Sequence, residues 1–339
     1  MDEFDESLLD DPDVLARADV RLRELAESGA RVRREAGLAA EAIDAAVAES
    51  GDARPRAVIA AGPDSRLLRA VLEPWCPVPF VAWPGPALPG WAGSLDLVVM
   101  LAPQGSDPAA ASAVAEAVRR GCQVVVACAP GSMVAEHAEG RWSYLLPTTA
   151  GDQLATAVLM LDYLHRIGLG PACDAEEVAR SLDQVALDSS PHSDLSSNPA
   201  KELAIALADA TPVVWGGSVL AARAARRIAE QLRRSSGRTA LAGDAEHLLP
   251  VLEAARPRDV FADPFDGAVD TRPLLLILDD GAEDPVVREQ RGRLQAAAAR
   301  AGVRVETLTS DAGSEVARYA SLLLAGTYAA EFLRLGRTS

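Results

Sequence analysis

Leu15, Ala18, Leu22 and Leu25 recur at three- and four-residue spacing behind Asp13. This lays one apolar face along a helix predicted over residues 14–36, and a second helix is predicted over 37–50. From residue 57 the period changes, and short apolar runs alternate with amphipathic stretches. The runs at 57–61, 79–83, 95–101, 123–127 and 143–146 read as strands. The stretches at 66–73, 108–120, 132–139 and 151–167 read as helices. Apolar strands separated by helices belong to a parallel sheet covered on both faces.

A helix at 175–185 and a polar segment at 189–197 interrupt the alternation, and the order then repeats. Strands are predicted at 212–215, 239–241, 274–279 and 304–308, and helices at 219–234, 245–255, 285–301 and 314–335. Two α/β units in matching order suggest an internal duplication. The expected fold is α/β, with two tandem domains, each a parallel sheet of about five strands sandwiched by helices. The expected divisions are 1–37 (acidic tail and helix), 38–170 (first domain), 171–197 (helix and linker) and 198–339 (second domain with a long C-terminal helix). That last helix carries Leu322, Leu323, Tyr328, Phe332 and Leu335, more apolar surface than one face needs. It is expected to pack across domains or subunits.

Composition narrows the partners. A chain of 339 residues that is 49% hydrophobic has the material for two cores. Its formal charge of −16 argues against nucleic acid and anionic membranes as partners. Cys76, Cys122, Cys128 and Cys173 fit no zinc spacing, and Cys122 and Cys128 read as small core residues. The acidic start argues against a secretory signal, and no apolar run approaches the ~20 residues of a membrane span. A cytoplasmic protein is expected.

The most specific stretch begins at Asn198. Ala200, Lys201, Glu202, Leu203 and Ala204 follow, then the apolar run Pro212, Val213, Val214, Trp215, and then Gly216, Gly217 and Ser218. A strand that ends in small residues and feeds a helix N-terminus offers backbone N–H groups and a positive dipole end to a phosphate. The wording resembles the second half of the bifunctional phosphoglucose/phosphomannose isomerases of the sugar isomerase (SIS) superfamily. There the pattern runs roughly N-x-A-K-E-L-A, a gap, P-V-I-Y-G-S, and a helix with an Arg, matched by Arg226. Two more stretches are similar to that family: the acidic loop from Asp279 to Pro285 with Arg288 and Arg291, and the closing helix from Ser321 through Tyr328 to Leu333. In the first half the likeness rests on element order and on residues 129–135.

The resemblance implies SIS-type domains and a small phosphorylated sugar as ligand. It implies an aldose–ketose isomerase that converts glucose 6-phosphate and mannose 6-phosphate to fructose 6-phosphate by proton transfer through an enediol. Such a reaction needs no metal or other cofactor, and the family implies a homodimer. The alternative is a non-catalytic SIS-domain protein that binds a phosphosugar or nucleotide sugar as a sensor or partner. Candidate catalytic residues are Glu246 and His247. Candidate substrate-binding residues are Gly62, Ser65, Ser106, Thr148, Thr149, Gly217 and Ser218.

Several positions depart from the family pattern. Asp107 stands where a phosphate-binding Thr belongs, and Pro108 and Ala109 replace carboxylates. Asp107 followed by Pro108 makes a good helix start, but its charge opposes a phosphate dianion. Asp64 opposes one in the same way. The position of the proton-transferring Glu is Leu249, and Glu246 is the nearest carboxylate, one helical turn earlier.

Overall fold

The computed structural model describes residues 4–51, 54–62, 65–255 and 272–337. After the one-turn helix Glu6–Leu9, the chain forms α1 (Pro12–Ala26) and α2 (Ser28–Glu49). It continues through β1 (Val58–Ala61), α3 (Ser65–Leu72), β2 (Phe80–Trp83), β3 (Leu97–Ala102) and α4 (Pro108–Arg119). Next come β4 (Gln123–Cys128), α5 (Met133–His137), β5 (Ser143–Pro147), α6 (Gln153–Arg166) and α7 (Ala175–Asp188). The second series is α8 (Pro199–Ala208), β6 (Ala210–Gly216), α9 (Val219–Ser236), β7 (Leu241–Ala242) and α10 (Ala245–Glu253). It ends with β8 (Arg272–Asp279), α11 (Pro285–Ala301), β9 (Arg304–Thr309) and α12 (Glu315–Leu335).

Two compact units result. One is Ser28–Arg180; the other joins Met1–Glu27 to Ser181–Ser339. The first holds a five-stranded sheet in the order β2-β1-β3-β4-β5, parallel throughout. The second holds, among the described residues, a four-stranded parallel sheet in the order β7-β6-β8-β9. Both follow the flavodoxin-like order, in which the strands run out in opposite directions from the first pair. The repeat seen in the sequence is therefore a repeat of topology.

The central strands are buried on both faces. Every residue of β3 is buried, as are Leu274 to Leu278 of β8. A parallel strand flanked by helices has no solvated side on which to place a polar residue. Cys122 and Cys128 lie in the core of the first unit, where burial pushes both thiols up from their ordinary pKa.

The N-terminal helices differ from expectation. α1 is capped by Asp11, which accepts from the Asp13 and Val14 N–H groups, and it ends at Ala26. α2 then runs unbroken through Gly37. A helical glycine costs about 1 kcal/mol relative to Ala, too little to end a helix whose Val32, Ala39 and Ile43 are buried. α12 also differs. Its apolar surface is used within its own unit, against α1, α8, α9 and β9. The chain start joins it there: Asp5 N–H donates to the Gly336 carbonyl at 2.7 Å, and Phe4 bridges to Arg337. Among the described residues no helix is long and apolar enough to cross a membrane.

Lys201 holds the start of α8. Its side chain is fully buried, and the ammonium donates to Asp10 Oδ1 (2.6 Å) and to the carbonyls of Pro191 (2.9 Å) and Ser193 (3.0 Å). It also lies 5.6 Å from the Phe332 ring. Three acceptors match the three ammonium donors, so the buried charge is fully satisfied. Lys201→Met leaves two carbonyls and a carboxylate without their donor. It is expected to lower the free energy of unfolding by about 3 kcal/mol in urea titrations. Asp10→Asn, whose amide oxygen still accepts, is expected to cost less.

Candidate functional site

A parallel sheet brings every strand-to-helix turn to one edge. All the candidate residues fall at such edges. Gly62 and Ser65 follow β1, Ser106 follows β3, and Thr148 and Thr149 follow β5. In the other unit Gly217 and Ser218 follow β6, and Glu246 and His247 open α10 after β7.

In the first unit Gly62 has φ +85°, the left-handed region that favours glycine, and a Cβ there would lie 2.6 Å from the Met100 sulfur. Ser65 opens α3 and is 1% exposed, and its Oγ has no hydrogen-bond partner. Buried hydroxyls are nearly always paired, and this one is an exception. Pro63 and Asp64 lie outside the described residues. Ser106 is exposed. Asp107 uses its carboxylate to cap α4, accepting from the Ala109 N–H at 3.0 Å.

The turn after β3 packs closely on the turn after β4. The Val134 N–H donates to the Gly105 carbonyl, and a Cβ at Gly105 would lie 2.0 Å from Ser132 Oγ. Thr148 is buried and Thr149 is exposed, and both hydroxyls have partners within the protein. Thr148 Oγ1 donates to the Pro103 carbonyl at 3.2 Å. Thr149 Oγ1 donates to Glu35 Oε1 at 2.8 Å, and the Thr149 and Ala150 N–H groups donate to the same carboxylate. Glu35 was not among the candidates read from the sequence. It lies more than a hundred positions away on α2, and no local pattern links it to the turn.

In the second unit the glycines after β6 are demanded by packing. A Cβ at Gly216 would sit 2.3 Å from the Ala221 carbonyl carbon, and one at Gly217 would sit 2.2 Å from Val287 Cγ1. Ser218 caps α9, accepting from the Ala221 N–H at 3.0 Å, and its hydroxyl donates to Asp280. That contact links the ends of β6 and β8, where the strand order reverses. Next to it Arg291 grips Asp279 through two nitrogens at 2.6 and 2.7 Å. Burial pushes the Asp279 carboxyl up, but the Arg291 hydrogen bonds, the Gly281 N–H and the Arg291 charge together outweigh this and hold it below its ordinary pKa.

α10 is the exception among these starts. Its N-cap Asp244 makes no side-chain hydrogen bond to the helix and instead lies 3.7 Å from Arg226. Glu246 and His247 are exposed on its first turn, while Leu249 is buried in the core of the unit. His192 lines a different part of this unit, a cavity of about 590 Å³ shared with Asp10, Leu15 and Asp19 and including no residue of α10. Among the described residues no group of three or more His, Cys, Asp or Glu side chains is placed to hold a metal ion.

The Asp279–Arg291 pair gives a pH-dependent prediction. A depressed folded-state pKa adds stability that is present above the unfolded carboxylate value and lost as pH falls through the folded one. Asp279→Asn should cost about 1.5–3 kcal/mol at neutral pH, the range for hydrogen bonds to charged groups. The gap between wild type and variant should shrink on acidification below the ordinary Asp range. Urea melts at neutral and acid pH measure both.

Residues 196–337 match the family described as the bacterial phospho-glucose isomerase C-terminal SIS domain. A search of curated proteins finds no match. Solved structures give similarity of fold at low identity. The C-terminal domain of glucosamine-fructose-6-phosphate aminotransferase from Francisella tularensis is 13% identical with a TM-score of 0.66, covering 93% of this chain and 95% of that one. Tagatose-6-phosphate ketose/aldose isomerase from Escherichia coli is 12% identical with a TM-score of 0.62, covering 93% and 90%. A glucose-6-phosphate isomerase like protein from Thermus thermophilus is 16% identical with a TM-score of 0.51, covering 93% and 92%. The chain thus has the fold of the phosphosugar isomerases of the SIS superfamily, two α/β units with parallel sheets flanked by helices.

Proposed function

We propose that this protein binds a phosphorylated sugar, and that its reaction class is aldose–ketose isomerisation of glucose 6-phosphate or mannose 6-phosphate to fructose 6-phosphate. The observation that carries the reading is Ser65, a buried hydroxyl without a partner at the opening of α3. A phosphoryl oxygen supplies the missing partner, and Gly62 and Ser106 flank it in the two turns at the strand-order reversal. The uncapped start of α10 supports the chemical half of the reading. In its own unit α10 starts without a side-chain cap and carries Glu246 and His247, the candidate base and ring-opening acid–base group, exposed on its first turn.

One observation favours a second reading, binding without turnover. Leu249 points into the core, so the position that the family resemblance gives to the proton-transferring Glu holds no carboxylate.

The test is a coupled assay with fructose 6-phosphate beside a thermal-shift series of glucose 6-phosphate, mannose 6-phosphate, fructose 6-phosphate and inorganic phosphate. Under the first reading Glu246→Gln and His247→Ala each lower turnover about 10²–10⁴-fold with little change in melting temperature, because both are exposed. Ser65→Ala should weaken sugar phosphate binding about tenfold, equivalent to about 1.4 kcal/mol. It should leave stability unchanged or raise it, because it removes a buried hydroxyl that folding leaves unpaired. Binding with no turnover selects the second reading. No binding of any sugar phosphate overturns both.

A further inference from the structure

The turn between β5 and α6 is closed by a carboxylate from α2. The Thr149 N–H lies 2.9 Å from Glu35 Oε2 and 3.1 Å from Oε1, the Thr149 hydroxyl 2.8 Å from Oε1, and the Ala150 N–H 2.6 Å from Oε1. Glu35 is 1% exposed. Two backbone donors and one hydroxyl converging on two oxygens match what a phosphoryl group asks of a protein turn. One helical turn earlier on α2, Arg31 donates to Asp152 at 2.8 Å, and Asp152 caps α6 by accepting from the Ala155 N–H at 3.0 Å. Two charged side chains of α2 therefore hold this turn, and the carboxylate of one of them fills its donors.

We propose that Glu35 is a resident anion. Its carboxylate occupies the donor set of Thr149 and Ala150 and excludes a ligand's phosphoryl group from that turn. Glu35 is then a specificity-determining residue, since it limits which strand end of this unit can take an anionic group. At the β1 end Ser65 is buried without a partner, whereas at the β5 end every named donor is taken. The exclusion half of the proposal rests on the sugar phosphate reading above; the anion-receiving half does not.

The full chain carrying Glu35→Ala is compared with wild type at constant ionic strength in chloride, acetate and inorganic phosphate. Removing the carboxylate should lower the melting temperature in chloride. Acetate, which replaces the lost group, should then raise the melting temperature of the variant by about 2–4 °C and leave wild type unmoved. Titration calorimetry should give the variant about one more equivalent of bound inorganic phosphate than wild type. Glu35→Gln, which keeps one accepting oxygen and the side chain's volume, provides the second arm. It should speed amide hydrogen exchange in a peptide covering Thr148–Asp152.

A variant that melts identically in acetate and chloride and binds no extra phosphate overturns the proposal. If Glu35→Ala does not fold, unchanged exchange in Glu35→Gln overturns it instead. These readouts use acetate, inorganic phosphate and hydrogen exchange. They can succeed where every sugar phosphate fails to bind wild type and Glu35→Ala alike, in which case the turn is a resident-anion site and its role in excluding a sugar phosphate is refuted.

Discussion

The constraint on which the rest depends is the parallel sheet. All its strands point the same way, so every strand-to-helix turn arrives at one edge with backbone N–H groups that the helix itself cannot satisfy. The chain answers most of them with its own side chains. Asp107 caps α4, Asp152 caps α6, Ser218 caps α9, Asp284 caps α11 and Ser314 caps α12. What is left open at this edge is therefore informative. Among the described residues of these turns, the Ser65 hydroxyl of one unit has no partner, and in the other unit, taken by itself, α10 has no side-chain cap.

The same edge explains why the family resemblance and the site chemistry diverge. Topology needs small residues after β6, and Gly216 and Gly217 are fixed there by backbone and side-chain packing whatever the ligand. Phosphate recognition needs uncommitted donors and little opposing charge. Asp107 and Glu35 place carboxylates in two of these turns, and both accept from backbone N–H groups there. A chain can keep the scaffold with these changes because an internal carboxylate satisfies a helix start as well as an external phosphate does.

The second unit illustrates a related point about the chain's ends. The expected boundaries were read along the chain, with a tail and helix over 1–37 and a linker over 171–197. The compact units divide at 27/28 and 180/181, and the N-terminal 27 residues belong with the C-terminal half. Lys201 is part of the reason. A buried ammonium needs three acceptors, and it finds them in Asp10 and in two carbonyls of the 191–193 segment. The N-x-A-K wording that marked this stretch in the sequence is thus a folding element as much as a family signature.

The sequence by itself determined the α/β class, the repeated order and nearly every strand and helix. Wholly apolar runs between amphipathic stretches have few other solutions, and caps such as Asp107-Pro108 and Asp152 are local signals. It also located the turns that carry Gly62, Ser65, Ser106, Gly217, Ser218, Glu246 and His247, because a strand–helix order fixes which loops share an edge. Only the tertiary structure decided which donors in those turns are free. Thr148 and Thr149 read equally well as ligand donors until Pro103 and Glu35 are seen to accept from them. Ser65 reads as an ordinary helix start until its hydroxyl is seen to be buried and alone. Hydrogen-bond satisfaction is a long-range property. It depends on partners such as Glu35 and Thr149, 114 positions apart, that no window along the chain contains.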